Sequence, residues 1–172
     1  MLCHPRKATI KLIDFGSSCI VGDMMYSYVQ SRYYRAPEVL IGHSYNSAID
    51  MWSVGCVLSE IYTGCPLFPG KTSQNQMELI IQKLGPLPSN MVPSHMSKIY
   101  DWFYSSKQIS ISSTESQIIA YSQLQQFLGY NCTQCKNKSD NLKKNFLDLI
   151  LSMLELDPNK RISPRDALKN TI

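Results

Sequence analysis

The sequence predicts a mainly α-helical domain with one short β-hairpin at its N-terminus. Three observations carry that prediction. Ile10-Lys11-Leu12-Ile13 is strand-like, and His4-Pro5-Arg6-Lys7 offers a turn back to Met1-Leu2-Cys3. A run from Met51 through Ile61 places apolar residues on every side of a helix, the pattern of an element buried on most of its faces. Near the other end, Phe146, Leu149, Ile150, Met153 and Leu154 recur at helical spacing on one face. The length of 172 residues suits one domain or a large piece of one.

Taken in order, the hairpin is followed by a stretch from Asp14 to Glu38 with glycines, many polar groups and no period, which reads as a loop. Asp50 then suits an N-cap, because its carboxylate can accept the free N–H groups of a first helical turn, and Gly64 suits the C-cap. The turn-rich Cys65-Pro66-Leu67-Phe68-Pro69-Gly70 comes next, then a helix over 73–84 that stops at Gly85-Pro86. Residues 105–141 are dominated by Ser, Thr, Asn and Gln, a polar insert that can bury little, with a short helix near 117–128. Asp157-Pro158 ends the helix that carries Phe146 to Leu154. Ser163-Pro164-Arg165-Asp166 then reads as a capping box with proline at the first helical position.

Composition narrows the function classes. The hydrophobic fraction of 44% is that of a folded protein. No run of eighteen apolar residues occurs, and charges at Arg6, Lys7 and Lys11 interrupt any leader, so neither a membrane nor a secreted destination is expected. The net charge of +4 is scattered in single or paired basic residues, which gives no concentrated face for nucleic acid. The six cysteines have no framework spacing and read as reduced thiols of the cytoplasm or nucleus. Cys132-Thr133-Gln134-Cys135 is half of a zinc site by spacing. With His95 distant and unpaired, free thiols are the better reading. Asn131-Cys132-Thr133 and Asn137-Lys138-Ser139 match glycosylation acceptors, a pattern that stays unused in a cytosolic chain.

The chemistry lies in an ordered series of motifs. Asp14-Phe15-Gly16 follows directly on a strand, and Ala36-Pro37-Glu38 closes the loop it opens. Asp50-Met51-Trp52-Ser53-Val54-Gly55 comes next, and Asp157-Pro158 with Arg161 ends the series. Each tripeptide alone is weak, and four in this order are not. Together with Tyr26-Ser27-Tyr28-Val29-Gln30-Ser31-Arg32-Tyr33-Tyr34-Arg35 and Gly64-Cys65-Pro66-Leu67-Phe68-Pro69-Gly70, they resemble the C-terminal lobe of a eukaryotic protein kinase of the CMGC group. Within that group the residues most resemble the dual-specificity tyrosine-regulated kinases, the DYRK family. The resemblance is specific over 1–88, absent over about 89–141 and generic over 142–170.

That resemblance implies a fold, the C-lobe of the α+β kinase, with 14–38 as activation segment and the whole of 1–172 as a partial kinase domain. It implies a role for each matching residue. Asp14 would hold Mg²⁺ bridging the phosphates of ATP, as a hard oxygen ligand, and Phe15 would pack inward. Tyr28 would be the activating tyrosine that such kinases phosphorylate on themselves. Arg32 and Arg35 would grip the phosphotyrosine through charge-assisted hydrogen bonds. Glu38 and Arg161 would form a buried ion pair, and Asp50 would tether the catalytic loop. Taken singly, these residues also read as a cap, solvated arginines and a surface tyrosine.

The expected activity is ATP-dependent phosphoryl transfer to Ser/Thr of protein substrates, with proline after the target residue tolerated. No G-x-G-x-x-G, no strand lysine in a Val-Ala-x-Lys context and no catalytic base of the His-Arg-Asp type occur in the 172 residues. By the resemblance the base lies just upstream of Met1, so the segment by itself is expected to be inactive and to bind ATP and Mg²⁺ poorly. An exposed apolar strip along Met51, Val54 and Leu58 is expected, to be covered by the N-terminal lobe or by another partner. The rival reading is a non-catalytic binding module that acts through this helical lobe.

Overall fold

The computed structural model describes residues 1–20, 26, 28–92, 122, 124, 126, 127 and 138–169. Strands β1 (Leu2–His4) and β2 (Lys7–Ile10) pair antiparallel, with Leu2 opposite Ile10 and His4 opposite Lys7. The second strand therefore lies three residues earlier than the apolar run Ile10–Ile13 suggested. The Pro5-Arg6 turn closes the hairpin early, and Leu12 and Ile13 run on beyond it, exposed. The regular structure of the described residues also includes the helices α1 (Pro37–Leu40), α2 (Ala48–Thr63), α3 (Ser73–Leu84), α4 (Lys138–Met153) and α5 (Pro164–Ala167), with single 3₁₀ turns at Phe15–Ser17, Arg32–Tyr34 and Ser89–Met91. The architecture is mainly α with one short hairpin. None of the described helices is long and apolar enough to cross a membrane.

Helix α2 is the central element. It begins three residues before the apolar run that marked it, with Ser47 at the N-cap position. Asn46 does the capping, its side-chain oxygen accepting the Ala48 N–H at 2.8 Å. Asp50 is thus not the cap. It sits in the first turn, exposed, where its charge complements the helix N-terminus. The other end is Gly64, in the left-handed conformation at φ 77°, donating its N–H to the Glu60 carbonyl.

One side of α2 is buried, the side that carries Ile49, Met51, Trp52, Gly55, Cys56 and Ser59. Trp52 and Phe68 are both inaccessible and stack with ring centroids 5.8 Å apart. Ile80 of α3 and Leu147 and Ile150 of α4 join this core. Gly55 lets α4 come close: a Cβ there would lie 3.0 Å from Met153 Cβ and 3.0 Å from Leu154 Cδ2. Met51 is buried against Leu149 and Met153, so it does not belong to the exposed strip expected along Met51, Val54 and Leu58. Leu58 is half-buried, and the exposed line runs through Val54, Val57 and Ile61 instead. The cause is the period of a helix: Met51 faces α4, while Val54, Val57 and Ile61 share the face that no described element covers. Cys56 is buried in the same core, and burial pushes its thiol well above the ordinary range.

Elsewhere the local signals are obeyed with small shifts. Thr72 caps α3, its hydroxyl accepting the Asn75 N–H at 3.1 Å. Ser163 caps α5 by accepting from Asp166 N–H, with Pro164 at the first position. Helix α4 stops at Met153, ahead of the expected stop at Asp157-Pro158. Leu154 and Leu156 turn into the core, and Asp157 opens a new turn that receives the N–H groups of Lys160 and Arg161. The 105–141 segment gives more to the core than its composition suggested, since Leu124 is buried, Phe127 packs beside it, and α4 already begins at Lys138. Residues 122, 124, 126 and 127 are helical, within the short helix expected near 117–128. Cys132, Cys135, Asn131 and Asn137 lie outside the described residues.

Candidate functional site

The segment from Asp14 to Glu38 starts in solvent and ends in the core. Asp14 adopts a left-handed backbone, φ 65° and ψ 69°, which aspartate tolerates better than most residues. It leads into a single 3₁₀ turn, Phe15–Ser17, closed by the Ser18 N–H and hydroxyl on the Phe15 carbonyl. The Asp14 carboxylate is exposed. Phe15, expected to pack inward, is 67% exposed, because no described apolar group covers it. As a hard oxygen donor, Asp14 can supply one ligand to Mg²⁺. Among the described residues no group of three or more His, Cys, Asp or Glu side chains is placed to hold a metal.

The other end is densely bonded. The Tyr28 ring lies over the Arg35 guanidinium, 3.9 Å from carbon to ring centroid. Arg35 is buried, and its guanidinium donates from Nε to the Val29 carbonyl at 2.8 Å and from Nη2 to the Gln30 carbonyl at 2.7 Å. Arg32 is half-buried, donates to the Lys71 carbonyl at 2.9 Å, and keeps a buried Nε without a partner. A hydrogen bond to Arg35 and the charges of Arg35 and Arg32 hold the Tyr28 phenol below the ordinary tyrosine range. Tyr28, Arg32 and Arg35 therefore meet at one place, with cationic groups against an exposed phenol.

The segment is pinned behind this cluster. Glu38 and Arg161 form a bidentate pair at 2.7 and 3.0 Å, both side chains fully buried. Arg161 spends its other donors on the Ala48, Glu155 and Leu156 carbonyls, so a charge taken out of water is bonded on every side. Its guanidinium also lies 5.2 Å from the Trp52 ring centroid, joining the pair to the main core. Asp50 stands apart from these groups, on the solvent side of α2, and its carboxylate makes no hydrogen bond among the described residues.

Two contributors had no role assigned from the sequence, although Gln30 lies within the Tyr26–Arg35 run. Gln30 has a left-handed backbone at φ 64°, and its side-chain amide reaches Ile49, Ser53 and Ala36. Tyr45 donates its hydroxyl to the Tyr26 carbonyl at 2.9 Å, fastening the segment two residues before Tyr28. Neither periodicity nor motif spacing points to a loop glutamine or a lone tyrosine.

Comparison with known proteins fits this geometry. Residues 1–171 match the protein kinase domain family. The chain is 38% identical over 178 residues to the DYRK-family kinase pom1 of Schizosaccharomyces pombe, covering 99% of this chain and 15% of that protein. It is 40% identical over 172 residues to the serine/threonine-protein kinase ppk5 of the same yeast, covering 99% of this chain and 19% of that protein. To the human dual specificity tyrosine-phosphorylation-regulated kinase 4 it is 37% identical over 170 residues, 99% of this chain and 31% of the relative. The chain thus spans less than a third of the length of each of these relatives. The ordered motifs, the helical lobe and these likenesses agree: the chain belongs to the protein kinase family, in its DYRK-type branch.

Proposed function

We propose that this chain is the C-terminal-lobe portion of a dual-specificity protein kinase that phosphorylates Ser and Thr of proteins and its own Tyr28. The observation that carries this reading is the meeting of Tyr28, Arg32 and Arg35 on a segment anchored by a buried ion pair. A surface tyrosine needs no such neighbours. A phosphate on Tyr28 would find guanidinium groups already ordered beside it, with the buried Arg32 Nε still without a partner. ATP with Mg²⁺ supplies the transferred phosphoryl group in such enzymes, and Asp14 would contribute one oxygen to that metal. The phosphate-covering loop, the lysine and the base have no counterpart in the 172 residues, so by themselves these residues are inactive.

Substrates with proline after the target residue fit the same turn. The Gln30 carbonyl is already engaged by Arg35 at 2.7 Å, so it offers no acceptor to the N–H of an extended peptide lying against it. Proline has no N–H to leave unsatisfied.

The deciding experiment is tryptic mass spectrometry of the protein from its own cells, paired with a phosphoryl-transfer assay on a protein substrate. Phosphate on Tyr28, and transfer that Tyr28→Phe impairs and Asp14→Asn abolishes, would support the kinase. A second reading, a binding module, draws on the exposed Val54, Val57 and Ile61. It prevails if the native protein transfers no phosphate and Tyr28 is never modified.

A further inference from the structure

Of the nine prolines in the chain, Pro164 alone follows a serine or threonine. That Ser163-Pro164 step opens α5, and neither the tyrosine cluster nor the buried ion pair uses it. The Ser163 side chain caps the helix in both directions. Its Oγ accepts the Asp166 N–H at 3.2 Å and donates to Asp166 Oδ2 at 2.7 Å, both bonds lying at the surface. Pro164, Arg165 and Asp166 are exposed, as are Leu168 and Lys169. Ser163 itself is half-buried and extended, φ −76° and ψ 158°, the conformation that a proline imposes on the residue before it. Helix α5 is a single turn of four residues, held to the lobe by Ile162 and Ala167 against Met51, Leu149 and Met153. So short a helix gains little from its own backbone bonds, and its cap decides much of its stability.

We propose that Ser163 is the phosphoryl acceptor of a proline-directed Ser/Thr kinase, and that its phosphate opens the cap of α5. In the step, Ser163 Oγ bonds to the γ-phosphorus of ATP and the bond from that phosphorus to the bridging oxygen breaks. ADP leaves, and the hydroxyl proton passes to the base of the modifying kinase. Oγ then has no proton to donate to Asp166, and a charge of about −1.5 to −2 stands against that carboxylate. Asp166 cannot relieve the repulsion by taking up a proton at neutral pH, since Lys169 first and Ser163 second hold its carboxyl below the ordinary range. Lys169 is already engaged on Asp166 Oδ1 at 2.8 Å. A helix N-terminus favours an anion, but four residues align too few peptide dipoles to offset a like charge at hydrogen-bond distance. The inference does not rest on this chain being a kinase, because another enzyme can supply the phosphoryl group.

The native protein, incubated with ATP and a purified proline-directed kinase, should gain phosphate at Ser163, read by peptide mass spectrometry. Pro164→Ala keeps a residue suited to the first helical position, and it should slow this labelling by roughly tenfold, the discrimination of one pocket contact. Hydrogen exchange of the Asp166 and Ala167 amides should quicken in the phosphorylated protein by roughly fivefold, the scale of one lost hydrogen bond. In Asp166→Asn the like charge is gone and the side chain can donate to the phosphate, so phosphorylation should no longer quicken Ala167 exchange. No phosphate at Ser163, or equal labelling of Pro164→Ala, would overturn the acceptor site. Exchange that is unchanged or slower after phosphorylation would overturn the opened cap. Quickening that persists in Asp166→Asn would overturn like-charge repulsion as its cause. Labelling by ATP without added kinase, abolished by Asp14→Asn, would support the acceptor site and identify the protein as its own modifying enzyme.

Discussion

From Tyr28 to Glu38 the segment is tied to the lobe by side chains, whereas from Met1 to Ile20 every residue whose burial is described is exposed. The first region has Arg35 and Glu38 buried, a carboxamide bridging to α2, and an ion pair reaching across the chain to Arg161. The second has a two-stranded hairpin, a one-turn helix and large apolar groups in water: Ile10, Leu12, Ile13 and Phe15. Both carry family motifs. The difference is that one motif set meets its partners within these residues and the other does not. The tyrosine-facing apparatus is self-contained in this lobe. The Asp14 end stays exposed among the described residues.

The largest test of that contrast is to remove one member of the buried pair. Glu38→Ala would strand the Arg161 charge in a site with no water, and losses of about 3–5 kcal/mol are typical of such half-pairs. Urea denaturation of the chain should show most of its stability gone. If Glu38→Ala cost no more than a surface substitution, the anchored end would not be anchored by this pair. Next in size is Gly55→Ala. The added Cβ would meet Met153 Cβ and Leu154 Cδ2, both at 3.0 Å. The first of these belongs to the stem of its side chain and cannot swing away. Overpacking of this kind costs about 1–3 kcal/mol, read as a lower denaturation midpoint.

The same contrast explains how much was legible in the sequence. Helix 73–84 is set by its own residues: a capping threonine, an amphipathic face and the Gly85-Pro86 stop, so its limits could be read directly. Gly64 as C-cap was legible for the same reason. The start of α2 was not. Asn46 and Asp50 are both acceptable caps by residue type, and only the tertiary path of the chain selects the earlier one. Met51 could not be told from Val54, because a helix apolar on all sides gives no phase. Which face is covered depends on where α4 packs. Leu124 was hidden in a polar stretch, since composition averages over a segment while burial is decided residue by residue. At the candidate site the motifs gave Tyr28, Arg32, Arg35, Glu38 and Arg161. Gln30 and Tyr45 escaped because their work is done through hydrogen bonds to backbone carbonyls, which leave no pattern.

Substitutions at the open end should be nearly silent. Leu12→Ser and Phe15→Ser remove apolar groups that are 82% and 67% exposed, so each should change stability by no more than about 0.5 kcal/mol in urea. A loss of several times that size from either one would mean that these side chains are covered in solution, and the contrast between the two ends would fail. If the native protein carries the N-terminal lobe proposed above, the same Phe15→Ser should be costly there, because that lobe would cover the ring. The gap between the two contexts measures how much of this end is organised from outside.

The smallest effect concerns protons. Two tyrosines of the same stretch should titrate in opposite directions from the ordinary value near 10. Tyr28 is held low by Arg35 first and Arg32 second, while Tyr34 is held high, chiefly by its hydrogen bond to Glu60 at 2.7 Å. The sign follows from linkage. A phenol with a lowered folded pKa contributes stability above its unfolded value, and that contribution is lost as pH falls through the folded one. Tyr28 therefore adds nothing at neutral pH through its own ionisation, and its influence is confined to alkaline solution. Carbon-13 NMR of labelled tyrosine, assigned with Tyr28→Phe, should show Tyr28 ionising before Tyr34, and Arg35→Leu should move Tyr28 upward while leaving Tyr34 in place. If Arg35→Leu leaves Tyr28 where it was, the guanidinium does not face the phenol in solution. The anchored end would then hold its backbone in order without presenting a charge to Tyr28.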